Sequence, residues 1–282
     1  MDYLEKMTTD MRLRGLRPST QRRYLMCIRD AAEYFDDLLL EGLTYGQLRP
    51  YLTHVRETKG ASVQSARVAA LRFLYGQALG MPLVAQRIPY PRVPKPAPRP
   101  LLRPEQVGAL LAALEKRKYR AICMTLYGAG LRINEARNLE QAHVDSDRMI
   151  LFVAETKGGG SRYATLPPRL LEELRGYWRE CRPKGPYLFP GRGNRGRVDR
   201  RTVSNAMKKA AAKAGIHCHV TPHTLRHSFA THMLEAGVEM HVIQGLLGHR
   251  SLRSTAIYAR VTVEMASRAA SPLESAPLPW LS

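Results

Sequence analysis

A run of prolines divides this chain into two parts. Residues 89–104 read PYPRVPKPAPRPLLRP and hold seven of the 19 prolines in the 282-residue sequence. Proline fixes its own φ and has no amide hydrogen to donate, so such a run continues neither a helix nor a central strand. We therefore predict a linker at residues 89–104, an N-terminal domain at residues 1–88, a second domain at residues 105–270 and a tail at residues 271–282.

The charge of the chain restricts its partners. The sequence has 44 Lys and Arg against 24 Asp and Glu, a formal net charge of +20. Such an excess favours a polyanionic partner, either nucleic acid or an anionic membrane. The first residues are charged, and the longest uncharged apolar stretch, Val107 to Leu114, is too short to cross a bilayer. We expect a cytoplasmic protein that binds DNA or RNA and no membrane.

The first domain has helical periodicity throughout. We place a helix cap at Thr20, a capping box at Thr44 and Gln47, and the start of another helix at Ser62, which ends near Gly80. Its basic side chains, with those of the linker, are candidates to contact a nucleic-acid backbone: Arg22, Arg23, Arg92, Lys95 and Arg99. The alternatives are a basic surface without a specific role and a solvated linker that touches nothing.

The second domain mixes helices with a short β segment. Residues 110–114 and 119–127 have helical patterns, whereas residues 144–154 and 162–166 read as strands, with turns at residues 146–147 and 158–160. Helices follow from residue 169 onward. The expected fold class is mainly α with a small antiparallel β-meander.

Seven of the nine histidines lie in a window of 33 residues, from His217 to His249. His223 and His227 are four positions apart and would share one helix face, as in some metal sites. Arg226 would lie among those ligands and repel a cation, and no acidic ligand occurs between residues 220 and 234. A metal-dependent hydrolase stays an alternative, but we expect no metal and no other cofactor.

The cluster of histidines with Arg226 also suits phosphate chemistry. Arginine binds a phosphate through two parallel hydrogen bonds, and histidine titrates near neutral pH, so the two suit a phosphoryl transition state. Such a site needs a nucleophile. Tyr258 follows His249 by nine residues, in the segment SLRSTAIYAR.

Three segments carry a family resemblance. The run TPHTLRHSFATHMLEAGVEMHVIQGLLGHRSLRSTAIYARV resembles the C-terminal signature of the tyrosine recombinase, or phage integrase, family. YGAGLRINEARNL resembles the first arginine box of that family, and AETKGGGSRYATLP resembles its lysine-bearing loop. The resemblance implies an N-terminal helical core-binding domain, a linker and an α-rich catalytic domain.

The resemblance also implies residue roles. Tyr258 would attack a scissile DNA phosphate and form a covalent 3′-phosphotyrosyl intermediate. The other catalytic residues it implies are Arg132, Lys157, His223, Arg226 and His249. Lys157 would protonate the leaving 5′-oxygen, although Arg162 is a second cation beside the same loop. Glu135 would orient Arg132, or else be an exposed partner three positions along a helix.

The implied activity is site-specific recombination or integration of double-stranded DNA by a tetramer on two sites, associated with the nucleoid. A DNA-binding protein without chemistry is the alternative. Phage integration, transposition, cassette exchange and dimer resolution are equally compatible with the sequence. The tail is expected to be disordered or, by resemblance, to dock on a neighbouring copy, with Trp280 inserted.

Overall fold

The computed structural model describes residues 3–36, 40–94, 100–154, 161–248 and 271–278. These residues are mainly α-helical with one three-stranded antiparallel sheet, which confirms the predicted fold class. The chain divides into two compact units, Met1–Ala97 and Pro98–Ser282. No helix among the described residues is long and apolar enough to cross a membrane.

The N-terminal unit is built from five α-helices and one π-helical turn within its described residues. They are α1 (Tyr3–Leu13), α2 (Pro18–Tyr34), α3 (Tyr45–Lys59), α4 (Ala61–Phe73), the π-helical turn Leu74–Ala78 and α5 (Pro82–Arg87). Apolar side chains at helical spacing, among them Ile28, Leu48 and Leu71, form a core of their own. The hydroxyl of buried Tyr75 donates to the Leu40 carbonyl at 2.6 Å.

Helix starts in this unit test the capping predictions. The box at the start of α3 is confirmed, because the Gln47 side chain accepts from the Thr44 amide at 2.9 Å. The cap at Thr20 is wrong: α2 begins at Pro18, whose fixed φ and missing N–H suit the first helical turn. Helix α4 begins one residue before Ser62, directly after Gly60 with φ +83°.

The described residues of the C-terminal unit form seven α-helices and three strands. They are α6 (Pro104–Ala112), α7 (Arg117–Gly128), α8 (Ile133–Asn138), β1 (Val144–Asp145), β2 (Ile150–Val153), β3 (Arg162–Thr165), α9 (Pro168–Cys181), α10 (Arg200–Lys213), α11 (Pro222–Glu235) and α12 (Met240–Leu247). Helix α7 is central, since every residue from 121 to 128 is buried. It packs against α9 and α11.

The sheet is a meander in the order β1, β2, β3. Val144 pairs with Leu151 across the first hairpin, and Val153 pairs with Arg162 where β3 begins. The predicted turn at residues 146–147 therefore joins two antiparallel strands. The predicted turn at residues 158–160 lies outside the described residues.

Residues 271–278 pack on their own C-terminal unit. The Ser271 hydroxyl donates to the Gly128 carbonyl at 2.8 Å, and Nη1 of Arg169 donates to the Ala276 carbonyl at 2.7 Å. Leu273 is fully buried, and a Cβ on Gly128 would come within 2.8 Å of it. The expectation of disorder is wrong for these residues, because their apolar side chains complete the core. Trp280 lies outside the described residues.

Candidate active site

A glycine turn brings Arg132 to the start of α8. Gly130 has φ +62°, and a Cβ at this position would lie 2.5 Å from the ring of Phe229 on α11. Only glycine therefore allows the chain to turn this close to α11. Arg132 occupies the N-cap position of α8, and its side chain is 36% exposed.

Arg226 reaches the same place from α11. Its guanidinium donates from Nη1 to the Gly130 carbonyl and from Nη2 to the Leu247 carbonyl, both at 2.7 Å. Burial and the nearby charges of Arg132 and Arg162 lower the pKa of Arg226 to about 9, against the opposing effect of Glu135. The side chain is thus a cation at neutral pH, held by backbone carbonyls.

Glu135 lies at the centre of this cluster and is buried. Its Oε2 accepts from the backbone N–H of Arg132 at 2.8 Å, and its Oε1 accepts from Nη1 of Arg132 at 2.8 Å. Nη1 of Arg226 is 3.6 Å from Oε2. Burial alone would raise the pKa of this carboxyl, but hydrogen bonds and charge from Arg162 and Arg132 lower it below its usual value. The alternative of an exposed helical partner is wrong.

Arg162, the first residue of β3, also belongs to the cluster, although the sequence indicated it only as a second cation beside the lysine loop. Its Nη1 and Nη2 donate to the two carboxylate oxygens of Glu135 at 3.2 and 2.9 Å. Its Nε donates to the Leu246 carbonyl at 2.8 Å. The sequence predicted a strand that begins at Arg162, but not that the side chain of this residue turns inward to Glu135.

The arginines meet at the C-terminal end of α12. A helix leaves its last carbonyls without internal partners, and this end carries a partial negative charge. Here the Leu246 carbonyl accepts from Arg162, and the Leu247 carbonyl accepts from Arg226 and, at 3.3 Å, from Arg132. The Gly248 carbonyl accepts from Nη2 of Arg132 at 3.4 Å. Gly248, with φ +64°, ends the helix.

His223 lies one helical turn before Arg226 on α11 and is exposed. The Thr221 hydroxyl caps this helix by accepting from the Thr224 amide at 3.2 Å. His227 is half-buried, and His232 is buried beside Tyr127. Across the described residues, no three His, Cys, Asp or Glu side chains converge as metal ligands would.

The other predicted site residues divide into two sets. Arg22 and Arg23 on α2, and Arg92 after α5, are exposed. Five others fall outside the described residues: Lys95, Arg99, Lys157, His249 and Tyr258.

The chemistry of the cluster is that of an anion site. Three guanidinium groups surround one carboxylate, so an excess of positive charge remains, and the exposed His223 precedes Arg226 by one turn of α11. Oriented guanidinium groups of this kind stabilise the charge that develops on a phosphate during phosphoryl transfer. The fold and the cluster together define a candidate phosphoryl-transfer site.

Comparison with known proteins agrees with this class. The pattern of the phage integrase family matches residues 100–265, and that of the phage integrase N-terminal SAM-like domain matches residues 3–84. A putative integrase/recombinase y4qK of Sinorhizobium fredii is 40% identical over 280 residues, 98% of this chain and 89% of the relative. The chain therefore belongs to the phage integrase family, and its enzyme class is a site-specific tyrosine recombinase.

Two further proteins extend the comparison. Tyrosine recombinase XerA of Thermococcus kodakarensis is 38% identical over 269 residues, 93% of this chain and 92% of the relative. A lambda integrase tetramer bound to a Holliday junction has the same fold, with a TM-score of 0.73 at 18% identity. That comparison covers 89% of this chain and 77% of the lambda integrase chain.

Proposed function

We propose that this recombinase cleaves and rejoins double-stranded DNA at specific sites through a covalent 3′-phosphotyrosyl intermediate on Tyr258. One observation supports the proposal above the others. Arg132 and Arg226 come from separate elements and share one buried carboxylate, Glu135. This is a preorganised cationic site, which phosphoryl transfer requires.

Each step of this reaction forms one phosphorus–oxygen bond and breaks another. The Tyr258 oxygen forms a bond to the scissile phosphorus as the bond to the 5′-oxygen breaks, and Lys157 supplies the proton that the leaving oxygen takes up. A 5′-hydroxyl from another strand then attacks the phosphotyrosyl ester and releases tyrosine. One phosphoester replaces another at each step, so no nucleotide cofactor is needed.

Arg132 and Arg226 bind the nonbridging oxygens of the phosphate in this mechanism. Removing one oriented donor from such a site typically costs about 2.7–4 kcal/mol of transition-state stabilisation. His223 acts as the acid and base near the nucleophile, and His249 donates a further hydrogen bond. Glu135 orients Arg132 through the contacts described above.

The partner in this proposal is duplex DNA bound along its backbone. Domain 105–270 carries the chemistry, whereas basic residues of domain 1–88 and linker 89–104 contact phosphates. These residues are Arg22, Arg23, Arg92, Lys95 and Arg99. Such contacts position the protein without reading sequence. A tetramer on two sites is the proposed active assembly, and the lambda integrase structure is that of a tetramer bound to a Holliday junction. Its location is the nucleoid.

A nicked suicide duplex tests the proposal. Because a short strand diffuses away after cleavage, the covalent adduct accumulates and survives SDS. We expect an adduct with the wild-type chain, none with Tyr258→Phe, and wild-type amounts with the control Tyr187→Phe. An adduct that persists in Tyr258→Phe would show that another residue is the nucleophile.

The same assay separates the alternatives. A DNA-binding protein without chemistry retains the duplex in native gels but releases it completely in SDS. A metal-dependent hydrolase loses cleavage in EDTA and regains it with zinc. The proposal requires adduct formation to be unchanged in excess EDTA.

A further inference from the structure

We infer that Arg162 is a positioning residue for strand transfer: it fixes Glu135, and through Glu135 the guanidinium of Arg132, against the end of α12. The inference rests on the proposed function, in which Arg132 binds the scissile phosphate. It assigns to Arg162 a role separate from both phosphate binding and proton donation.

All three nitrogens of the Arg162 guanidinium donate to protein acceptors. Nη1 and Nη2 donate to the two oxygens of Glu135, and Nε donates to the Leu246 carbonyl, all within 3.2 Å. Its side chain is 13% exposed, against 36% for Arg132. The donors of Arg162 thus point inward to protein acceptors, whereas Arg132 keeps access to solvent.

Glu135 transmits the position of Arg162 to Arg132. Oε1 accepts from Nη1 of both arginines, at 3.2 Å from Arg162 and 2.8 Å from Arg132. Oε2 accepts from Nη2 of Arg162 and from the Arg132 amide. Since the carboxylate is buried and bound on both oxygens, it cannot rotate without breaking bonds to both arginines.

Packing holds Arg162 from the other side. A Cβ on Gly248 would lie 3.0 Å from Cδ and 3.1 Å from Nε of Arg162. The guanidinium thus lies between the carboxylate of Glu135 and the backbone that ends α12. Lysine cannot reproduce this arrangement, because a single ammonium lacks both the bidentate fork and the Nε donor.

Loss of Arg162 should therefore misplace Arg132 without removing it. The carboxylate of Glu135 would lose its bidentate partner, and the Leu246 carbonyl would lose its donor. A misplacement of about 1 Å in a catalytic group can slow a reaction on the order of 10²-fold. Binding of the duplex, which depends on many surface charges, should change little.

Single-turnover adduct formation on the nicked duplex, at saturating DNA, tests this. We expect Arg162→Gln to slow adduct formation on the order of 10²-fold, with a dissociation constant within about threefold of wild type. The matched control is Arg148→Gln in the same sheet region, where the side chain is 71% exposed. It removes the same charge and should leave the rate unchanged. An unchanged rate in Arg162→Gln would overturn the inference.

A double-mutant cycle distinguishes positioning from general loss of structure. If Arg162 acts through Arg132, then Arg162→Gln should slow the Arg132→Gln enzyme by less than about threefold. Independent defects would multiply instead, and that result would overturn the inference. If Arg162→Gln proves unfolded by thermal melting, Arg162→Lys replaces it in the same cycle with the same criteria.

The wild-type chain in this assay separates the two proposals. Absence of any wild-type adduct would overturn the proposed function, and this inference with it. A normal wild-type adduct together with a normal rate in Arg162→Gln would overturn only the role given to Arg162.

Discussion

The phenol oxygen of Tyr127 lies 2.8 Å from Nδ1 of His232, in the interior of the C-terminal unit. The pair joins α7, at the centre of the core, to α11, which carries His223 and Arg226. Burial lowers the pKa of His232 below its usual value, although Glu235, the Leu102 backbone and Glu105 act in the opposite direction. The neutral imidazole is therefore the form that the fold stabilises.

Stability should fall in mildly acidic solution because of His232. Above pH of about 6.5 the imidazole is neutral in both folded and unfolded chains, and the full stability is present. As the pH drops below that value, the unfolded chain takes up a proton that the folded chain rejects. Urea unfolding at pH 7.5 and 5.5 should show a loss of at most about 1.4 kcal/mol per pH unit from this group.

The variant His232→Asn should show a smaller pH dependence in the same measurement. His219→Asn, at an exposed position, should keep the wild-type dependence. Equal pH dependence in wild type and His232→Asn would contradict the assignment of this effect to His232.

Gly130→Ala should lower the free energy of unfolding. The left-handed backbone costs a non-glycine residue roughly 1–2 kcal/mol, and the collision with Phe229 adds about 1–3 kcal/mol. Gly237→Ala is the matched control, since its φ is +82° and nothing lies within 4 Å of the added Cβ. Chemical denaturation should therefore show a clearly larger loss for Gly130→Ala, and similar losses would contradict the close approach to α11.

The buried carboxylate of Glu173 should be essential to the C-terminal core. It is fully buried and pairs with Nε of Arg117 at 3.3 Å and Nε of Arg120 at 3.1 Å. Glu173→Ala removes the fully buried carboxylate that these two mostly buried arginines share, so it should lose about 3 kcal/mol of unfolding free energy. Glu180→Ala removes an exposed partner of the same Arg117, 3.6 Å away, and should change stability by less than about 1 kcal/mol.

Arg22 and Arg23 should contribute to DNA binding and not to the chemical step. Each phosphate contact adds about 0.9 to the slope of log affinity against log salt concentration. The double variant Arg22→Ala/Arg23→Ala should therefore lower that slope by about 1.8 and leave the single-turnover rate at saturating DNA unchanged. Titrations from low to moderate salt measure the slope. A wild-type slope in the variant would show that neither side chain contacts a phosphate.

The sequence was sufficient to predict the broad fold because local signals agreed with one another. Helical periodicity, the capping box at Thr44 and the turn at residues 146–147 all depend on neighbouring residues, and all appear in the structure. The start of α2 was predicted wrongly. Pro18 is compatible with a turn or with a first helical position, and in the structure it is the first residue of α2.

The site itself depends on contacts that are distant in sequence. The spacing of Glu135 and Arg132 predicted an ion pair, but not the burial of Glu135, which also pairs with Arg162 of β3 and Arg226 of α11. Arg162 joins the cluster across 27 positions, from the register in which it pairs with Val153 of β2. No local pattern encodes that register.

The carbonyls that end α12 have a consequence for the electrostatics of the site. Folding already strips water from Arg226 and turns its donors toward backbone dipoles. An incoming phosphate would therefore meet a guanidinium that is already desolvated and held in place. The free-energy cost of desolvating and orienting Arg226 is thus largely met during folding, before DNA arrives.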